Sequence, residues 1–172
     1  MNDNIEYEKF TQEIYNEILK NLYVKNIEVR HDVKLTGKSG QKHQIDVYWE
    51  YQYDNTTFKI AIECKNYNHT VSIGKVRDFF GVLYDLEDVK GIMVTKKGYQ
   101  EGAKKFGEHY GIDLMELREP EEGEAIVAET TLTIDSSVRH RLFLVDEDWA
   151  KEHDLNIQSY KQRLDWLCSP VC

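Results

Sequence analysis

The chain has 172 residues, of which 41% are hydrophobic, and its formal net charge is -9. This length can bury one sizeable core, and the sequence has no internal repeat. No stretch approaches the roughly 18 uninterrupted apolar residues of a transmembrane helix, and the polar, acidic N-terminus is unlike a signal peptide. The three cysteines are an odd number and indicate no disulfide framework. We therefore expect a cytoplasmic protein with no membrane partner.

The negative net charge argues against a broad surface that coats nucleic acid, because non-specific binding depends on Lys and Arg neutralising phosphates. It does not exclude an enzyme that reaches phosphate through divalent cations, since such a centre needs carboxylates. The basic residues are concentrated locally, in two groups: Lys34, Lys38 and Lys42, and later Lys96, Lys97, Lys104 and Lys105.

The first half of the chain predicts one helix and three strands. Apolar residues recur at intervals of three and four from Tyr7 to Leu22, which is helical spacing. Residues 27–35 alternate well enough for a strand, and a polar loop follows. The segments 43–53 and 58–65 are rich in β-branched and aromatic residues and are separated by a short polar turn. These two segments predict a β-hairpin.

The second half continues with alternating helices and strands. Ser72 is a suitable N-cap for a helix that ends near Leu86, and Gly111 is suited to the end of a later helix. The order of predicted elements is a helix over 73–86, a strand over 91–95, a helix over 100–110 and a strand over 112–117. Strands joined by helical crossovers run parallel. We therefore predict an α/β fold whose mixed β-sheet, an antiparallel meander plus parallel strands, is flanked by helices.

The sequence changes character after Glu119. Residues 125–134 and 139–145 predict two further strands, and residues 158–167 predict a closing helix. No set of chemically reactive residues is evident there. We divide the chain into a main domain over 1–119 and a β-rich extension of unknown role over 120–172.

The predicted hairpin brings three charged residues together. If the turn is Asp54-Asn55, Asp46 lies opposite Glu63, and if it is Asn55-Thr56, Asp46 lies opposite Lys65. Both registers keep the three charged side chains on one face of the sheet. Alternation within the strand predicts that Gln44, Asp46 and Tyr48 share this face, and that Ile45, Val47 and Trp49 point the other way.

Such a cluster needs a cation. Two carboxylates about 4 Å apart repel by about 4 kcal/mol at an effective dielectric constant of roughly 20. Lys65 supplies one positive charge, and a divalent ion could supply more. Mg²⁺ prefers carboxylate, water and phosphate oxygens, and an adjacent lysine can orient or deprotonate an attacking water. The expected chemistry is phosphodiester hydrolysis.

The same residues resemble the signature of the PD-(D/E)xK nuclease superfamily, which has an acidic residue on one strand and (D/E)xK on the next. The matching segments are Gln44-Ile45-Asp46 and Glu63-Cys64-Lys65. The longer stretches GKSGQKHQIDV, IECKNY, GIMVTKKGY and GIDLMEL resemble the Mrr-type restriction-endonuclease branch, in which Gln-x-Asp commonly replaces Pro-Asp. The resemblance covers about residues 7–117.

The resemblance implies a restriction-endonuclease-like core and roles for individual residues. Asp46 and Glu63 would be metal ligands for Mg²⁺, with Mn²⁺ as a substitute, and Lys65 would be the catalytic lysine. It also implies a further acid on the first helix. A helical wheel places Glu8 inside the apolar arc and Glu13 outside it, so we choose Glu8. We include Gln44 in the catalytic set because of its predicted face.

The loop before the hairpin could contact substrate. Its GKSG segment does not fit a phosphate-binding P-loop, because that motif requires glycine where Asp32 stands and a strand-to-helix step that is missing. We instead assign Lys38, Lys42 and His43 as candidate substrate contacts. The histidines His31 and His69 belong to no cluster in the sequence, and we give them no role.

The leading hypothesis is a Mg²⁺-dependent DNA endonuclease of restriction or host defence. One alternative is a nuclease that acts on branched DNA or on RNA, and another is a nuclease-like module that binds nucleic acid or protein without catalysis. DNA is the expected partner. A homodimer would present two centres to two strands. Mrr-type enzymes often carry a separate DNA-binding domain, and no such module is recognisable here, so an additional specificity domain or subunit is also expected.

Overall fold

The computed structural model of the chain describes residues 3–21, 27–53, 56–118, 126–135 and 138–145. The chain divides into two compact units, Met1–Met115 and Glu116–Cys172. In chain order the elements are α1 (Asp3–Asn21), β1 (Arg30–Thr36), β2 (Lys42–Tyr53), β3 (Thr56–Lys65), α2 (Ile73–Leu86), β4 (Val89–Thr95), α3 (Glu101–Tyr110), β5 (Asp113–Glu116), β6 (Ile126–Asp135) and β7 (Val138–Val145).

The main sheet has five strands in the order β1-β2-β3-β4-β5. The first three form an antiparallel meander. Helix α2 then carries the chain across the sheet, so that β4 pairs with β3 in parallel. The mixed sheet flanked by helices that the sequence predicts is therefore confirmed.

The register of the β2–β3 hairpin selects one of the two alternatives. Tyr53 pairs with Thr56, and the same alignment continues to the pair Val47–Ile62. Only Asp54 and Asn55 lie between the two strands, so they form the connection. If this register is continued by one residue beyond Val47–Ile62, Asp46 lies opposite Glu63. The three charged residues therefore lie at one end of the hairpin, beyond its last aligned pair.

Helices cover both faces of the sheet. On one face α1 packs against β2, where the rings of Tyr15 and Trp49 lie 5.2 Å apart. On the other face α2 buries Val76 and Phe79 in an apolar cluster that includes Met93 of β4. Helix α3 ends at Gly111, whose φ of 68° is the left-handed conformation that favours glycine, as the sequence predicts.

The predicted side-chain alternation of β2 is wrong at its start. Ile45 belongs to the same apolar cluster as Tyr48, with Val33 and Leu35 of β1 packed against it. Strict alternation would separate residues three apart in a strand. The backbone of the neighbouring strand β1 is irregular at the same level. Asp32 of β1 has a φ of 53°, in the left-handed region, and lies between the residue pairs His31–Val47 and Val33–Ile45. The regular alternation of side chains between the two faces of the sheet is therefore interrupted at Asp32 in β1 and at Asp46 in β2.

The second unit contains the antiparallel pair β6 and β7, aligned from Ile126 opposite Val145 to Asp135 opposite Val138. Both strands are predicted from the sequence and are confirmed. The predicted helix over 158–167 lies outside the described residues. Within the described ranges, no helix is long and apolar enough to cross a membrane.

Candidate active site

The Asp46 carboxylate is fixed by the neighbouring strand. Its Oδ2 atom accepts a hydrogen bond of 2.7 Å from the backbone N–H of Cys64. The aligned pairs of β2 and β3 stop at Val47–Ile62. The Asp46 side chain thus bonds to the backbone of β3 just beyond them. It lies against the residue that separates Glu63 from Lys65 in the chain.

Glu63 and Lys65 form an ion pair along one face of β3. They are two residues apart in a strand, so their side chains point the same way. The Lys65 ammonium donates a hydrogen bond to Glu63 Oε1, and the two side chains are 19% and 23% exposed. The Thr95 hydroxyl of β4 donates a hydrogen bond of 2.8 Å to the Lys65 carbonyl. This bond anchors the end of β3.

Asp46 is the most perturbed acid of this cluster. Burial, followed by the negative charge of Glu63, raises its pKa to about 7, against the opposing hydrogen bond from Cys64. The charge of Glu8 raises the pKa further, and that of Lys65 lowers it. A carboxyl group with such a pKa is partly protonated at neutral pH in the absence of a cation. The site therefore has unbalanced negative charge that a cation would relieve.

The surroundings favour the charged form of Lys65, whereas they disfavour the charged form of Asp46. Burial lowers its pKa, but the charge of Glu63, the hydrogen bond to Glu63 and the charge of Asp46 together raise it overall. The side chain is therefore an ammonium ion at neutral pH. As an ammonium it can donate hydrogen bonds and stabilise negative charge, but it cannot remove a proton while this environment persists.

Glu8 is oriented by a histidine of β1. As the helical wheel predicts, Glu8 is largely buried, whereas Glu13 is exposed. Glu8 Oε2 lies 2.8 Å from His31 Nε2, and their side chains are 17% and 21% exposed. The sequence gives no sign of this contact, because the partners lie 23 residues apart on different elements. The catalytic role of Glu8 remains a prediction.

Two candidate substrate contacts, Lys38 in the loop before β2 and His43 in β2 itself, are tied to the end of α2. His43 Nε2 lies 2.7 Å from Asp85 Oδ2, and the Lys38 ammonium lies 3.1 Å from Glu87 Oε1. Lys42 and Gln44 are exposed. Because the side-chain alternation of β2 is interrupted between Ile45 and Tyr48, alternation alone does not determine whether Gln44 shares a face with Asp46. The roles of all four residues in catalysis or binding remain predictions.

Among the described residues, no group of three or more His, Cys, Asp and Glu side chains is placed to hold a metal ion. The carboxylates that this cluster offers are those of Asp46 and Glu63, whose charges influence each other. Mg²⁺ fits such a pair, because it keeps several waters and is commonly bound by one or two carboxylates together with substrate phosphates. The raised pKa of Asp46, to about 7, agrees with a site that favours a bound cation.

Two loops meet at the ends of β3 and β4, next to the cluster. The Val71 amide donates to the Gly98 carbonyl and the Gln100 amide donates to the Val71 carbonyl, at 2.9 and 3.0 Å. We call residues 66–72 and 96–100 the paired loops. The Lys96 ammonium lies 5.0 Å from the ring centroid of Tyr7, and Lys97 is exposed. Both lysines follow β4 at the end of the sheet where Lys65 lies, because Lys65 pairs with Thr95.

Comparison with known proteins identifies the class to which this fold and site belong. Residues 3–119 match the model of the Mrr-type catalytic domain, described as restriction endonuclease. The match spans more than half of the chain. The chain therefore belongs to this restriction-endonuclease family, as its PD-(D/E)xK signature predicts.

Several solved structures are similar to this chain. A protein of unknown function, AF1548, is 20% identical with a TM-score of 0.51, over 86% of this chain and 79% of that one. Can2 from Sulfobacillus thermosulfidooxidans, in complex with cyclic tetra-adenylate, is 17% identical with a TM-score of 0.48, over 63% of this chain and 28% of its own. A repair endonuclease from Pyrococcus abyssi is 22% identical with a TM-score of 0.43, over 62% and 46% of the two chains.

This chain thus spans less than half the length of the second and third of these proteins. A comparison with curated protein sequences finds no match. The family match over residues 3–119, together with the mixed five-stranded sheet, makes the fold restriction-endonuclease-like.

Proposed function

We propose that the chain is a metal-dependent endonuclease that hydrolyses DNA phosphodiester bonds. The observation that carries the proposal is the environment of Asp46, whose pKa is raised to about 7 by burial and by Glu63. A protein gains no stability from holding two acids together in this way. Like charges kept close at a half-buried position are typical of a site that binds a cation or moves a proton.

Each residue of the cluster has a separate task in this proposal. Asp46 and Glu63 would hold Mg²⁺, or Mn²⁺ in its place, and the ion would polarise the phosphate and activate a water. The backbone N–H of Cys64 holds the Asp46 carboxylate in a fixed orientation. Lys65, which stays protonated beside Glu63, donates hydrogen bonds to the attacking water or to the phosphate oxygens as negative charge develops there.

DNA is the substrate that the surroundings of the cluster support best. The paired loops carry Lys96 and Lys97 at the same end of the sheet as Lys65, since Thr95 pairs with Lys65 in the parallel register. Phosphate contacts by a few local lysines are enough to position a duplex, while the bound cation engages the cleaved phosphate. Restriction or host defence is the role we assign, because the matching family is described as restriction endonuclease.

A nicking assay with supercoiled plasmid tests the proposal. Purified chain should convert the plasmid to nicked and linear forms in Mg²⁺ or Mn²⁺ and should leave it intact in EDTA. Lys65→Ala, expressed and purified in the same way, controls for contaminating nucleases and should cleave at least about 10²-fold more slowly. Tight DNA binding without cleavage in either metal would replace the proposal with the binding-module alternative. Cleavage of branched DNA or RNA alone would replace the substrate.

A further inference from the structure

The half-buried pair of Glu8 and His31 lies beside the cluster but outside its ligand set. Glu8 Oε2 and His31 Nε2 are 2.8 Å apart, and both side chains are mostly shielded from solvent. A glutamate has three side-chain torsions, and fixing them costs conformational entropy. A hydrogen bond from a stiffer neighbour on another element reduces the orientations open to the carboxylate.

The helix turn that bears Glu8 contacts the centre of the site. Thr11, one turn further along α1, is fully buried, its hydroxyl donates a hydrogen bond of 2.9 Å to the Tyr7 carbonyl, and it lies close enough to Cys64 to influence the pKa of that thiol. Cys64 lies between Glu63 and Lys65 in the chain. The charge of Glu8 is also felt at Asp46, where it raises the pKa. The Glu8 carboxylate thus contacts His31 directly and lies within electrostatic range of Asp46.

The irregular backbone of β1 explains how His31 reaches this position. Val33 and Leu35 pack against the apolar cluster under α2, whereas His31 contacts Glu8 of α1 on the other face. In a regular strand, residues 31, 33 and 35 would share a face. The φ of 53° at Asp32 separates them. Non-glycine residues in this conformation cost energy and tend to occur at functional sites.

From these three observations we propose that His31 is a positioning residue, which holds the Glu8 carboxylate toward Asp46 for the nuclease reaction. The inference rests on the proposed function of the site. His31 touches neither substrate nor metal in this account. Its Nε2–H group donates to Glu8 and fixes the direction in which that carboxylate faces the cluster.

Kinetics of three single variants and one double variant test the role of His31. His31→Ala should lower kcat about 10- to 100-fold, as expected when a residue that orients a catalytic carboxylate is lost, with little change in KM for DNA. His31→Gln should recover most of the loss, since its amide N–H reaches about as far as Nε2. In Glu8→Gln, adding His31→Ala should cause little further loss, because the two residues act as one unit.

A matched control separates positioning from stability. Gln12 also joins α1 to the chain entering β1, through a hydrogen bond of 2.7 Å from its Nε2 to the Val29 carbonyl. Gln12→Ala should lower the melting temperature and leave kcat unchanged. If kcat in His31→Gln and Gln12→Ala fell as far as in His31→Ala, in step with melting temperature, His31 would be merely structural and the inference overturned.

Two other outcomes also overturn the inference, and both leave the nuclease proposal standing. One is a wild-type kcat in His31→Ala, and the other is a full additional loss on adding His31→Ala to Glu8→Gln. Failure of the proposed function looks different, because the wild-type chain itself would then show no metal-dependent cleavage. That result would remove both proposals at once.

Discussion

The carboxylate of Asp46 accepts a hydrogen bond of 2.7 Å from the backbone N–H of Cys64 on the neighbouring strand. This bond gives the carboxylate a fixed place even though its surroundings oppose its charge. It also connects Asp46 to the backbone between Glu63 and Lys65. A change at any of these three positions should therefore affect the chemistry more than the fold.

The first prediction concerns the two central residues. Lys65→Ala and Asp46→Ala should each lower plasmid cleavage by about 10²- to 10⁴-fold, because each removes a positioned group that the reaction uses. Single-turnover cleavage rates in Mg²⁺ measure the effect, and circular dichroism verifies that the variants are folded.

A lysine on α2 provides the control. Lys75 forms a solvent-exposed pair with Asp78 at 4.0 Å, and exposed pairs contribute little to stability. Lys75→Ala should cleave at the wild-type rate. Undiminished cleavage by both Lys65→Ala and Asp46→Ala would remove this site from the account.

The second prediction concerns DNA binding by the paired loops. Because the chain is acidic overall, with a net charge of -9, its contacts with phosphate should be few and local. Binding measured by fluorescence anisotropy should strengthen with Ca²⁺ or Mg²⁺ and weaken with salt. Lys97→Ala should reduce the salt dependence by about one phosphate contact, uniformly across DNA sequences.

Lys59 is the matched control for this measurement, since it lies near the opposite end of β3 from Lys65. Lys59→Ala should leave the salt dependence unchanged. Tight binding in EDTA at moderate salt would contradict the prediction and would favour a module that binds without catalysis.

The third prediction follows from the raised pKa of Asp46. Below about pH 7 this carboxyl group is protonated in the folded protein without metal, and a proton must leave before a cation binds. Affinity for Mn²⁺ should therefore rise about tenfold per pH unit up to about pH 7 and change little above it. Calorimetric titrations between about pH 5.5 and 8.5 measure this slope. A constant affinity over that range would show that Asp46 is not the ligand that titrates.

The sequence was sufficient to predict the sheet and the charged cluster, because both depend on local patterns. Apolar periodicity located the elements, and alternation placed Glu63 beside Lys65. The hairpin register remained open between two turns, because Asp54-Asn55-Thr56-Thr57 lacks the Asn-Gly or Asp-Gly pair that would specify one. The pairing of Tyr53 with Thr56 resolves it.

Contacts between distant elements could not be predicted in this way. The pairs Glu8–His31 and His43–Asp85 join residues 23 and 42 positions apart, and no periodicity specifies them. The regular side-chain alternation predicted for β2 is wrong for a related reason, since it assumes a regular strand. The positive φ of Asp32 accompanies the interrupted alternation of the neighbouring strand. The only hint of it in the sequence is that aspartate tolerates positive φ.

The last prediction concerns the stability of the protein without metal, compared between wild type and Asp46→Asn. Asparagine keeps the shape of the side chain and can still accept the hydrogen bond from Cys64. In wild type the folded-state pKa of Asp46 is raised from 3.8 to about 7. Wild type therefore loses stability as the pH rises between these values, since the unfolded state binds fewer protons there than the folded state. Asp46→Asn does not titrate and avoids this loss.

At pH 8 in EDTA, Asp46→Asn should consequently be more stable than wild type, by on the order of 1 kcal/mol, with a smaller difference at pH 5. Added Mg²⁺ or Mn²⁺ should stabilise wild type more than the variant, because binding to the folded state raises stability and only wild type keeps both carboxylates. If Asp46 were instead a structural partner of Lys65, its loss would leave a half-buried ammonium with one partner fewer, and the sign would reverse. Thermal unfolding of both proteins, at the two pH values and with or without metal, distinguishes a catalytic from a structural role of Asp46. The catalytic interpretation would be contradicted if Asp46→Asn were less stable than wild type in EDTA and metal did not stabilise wild type.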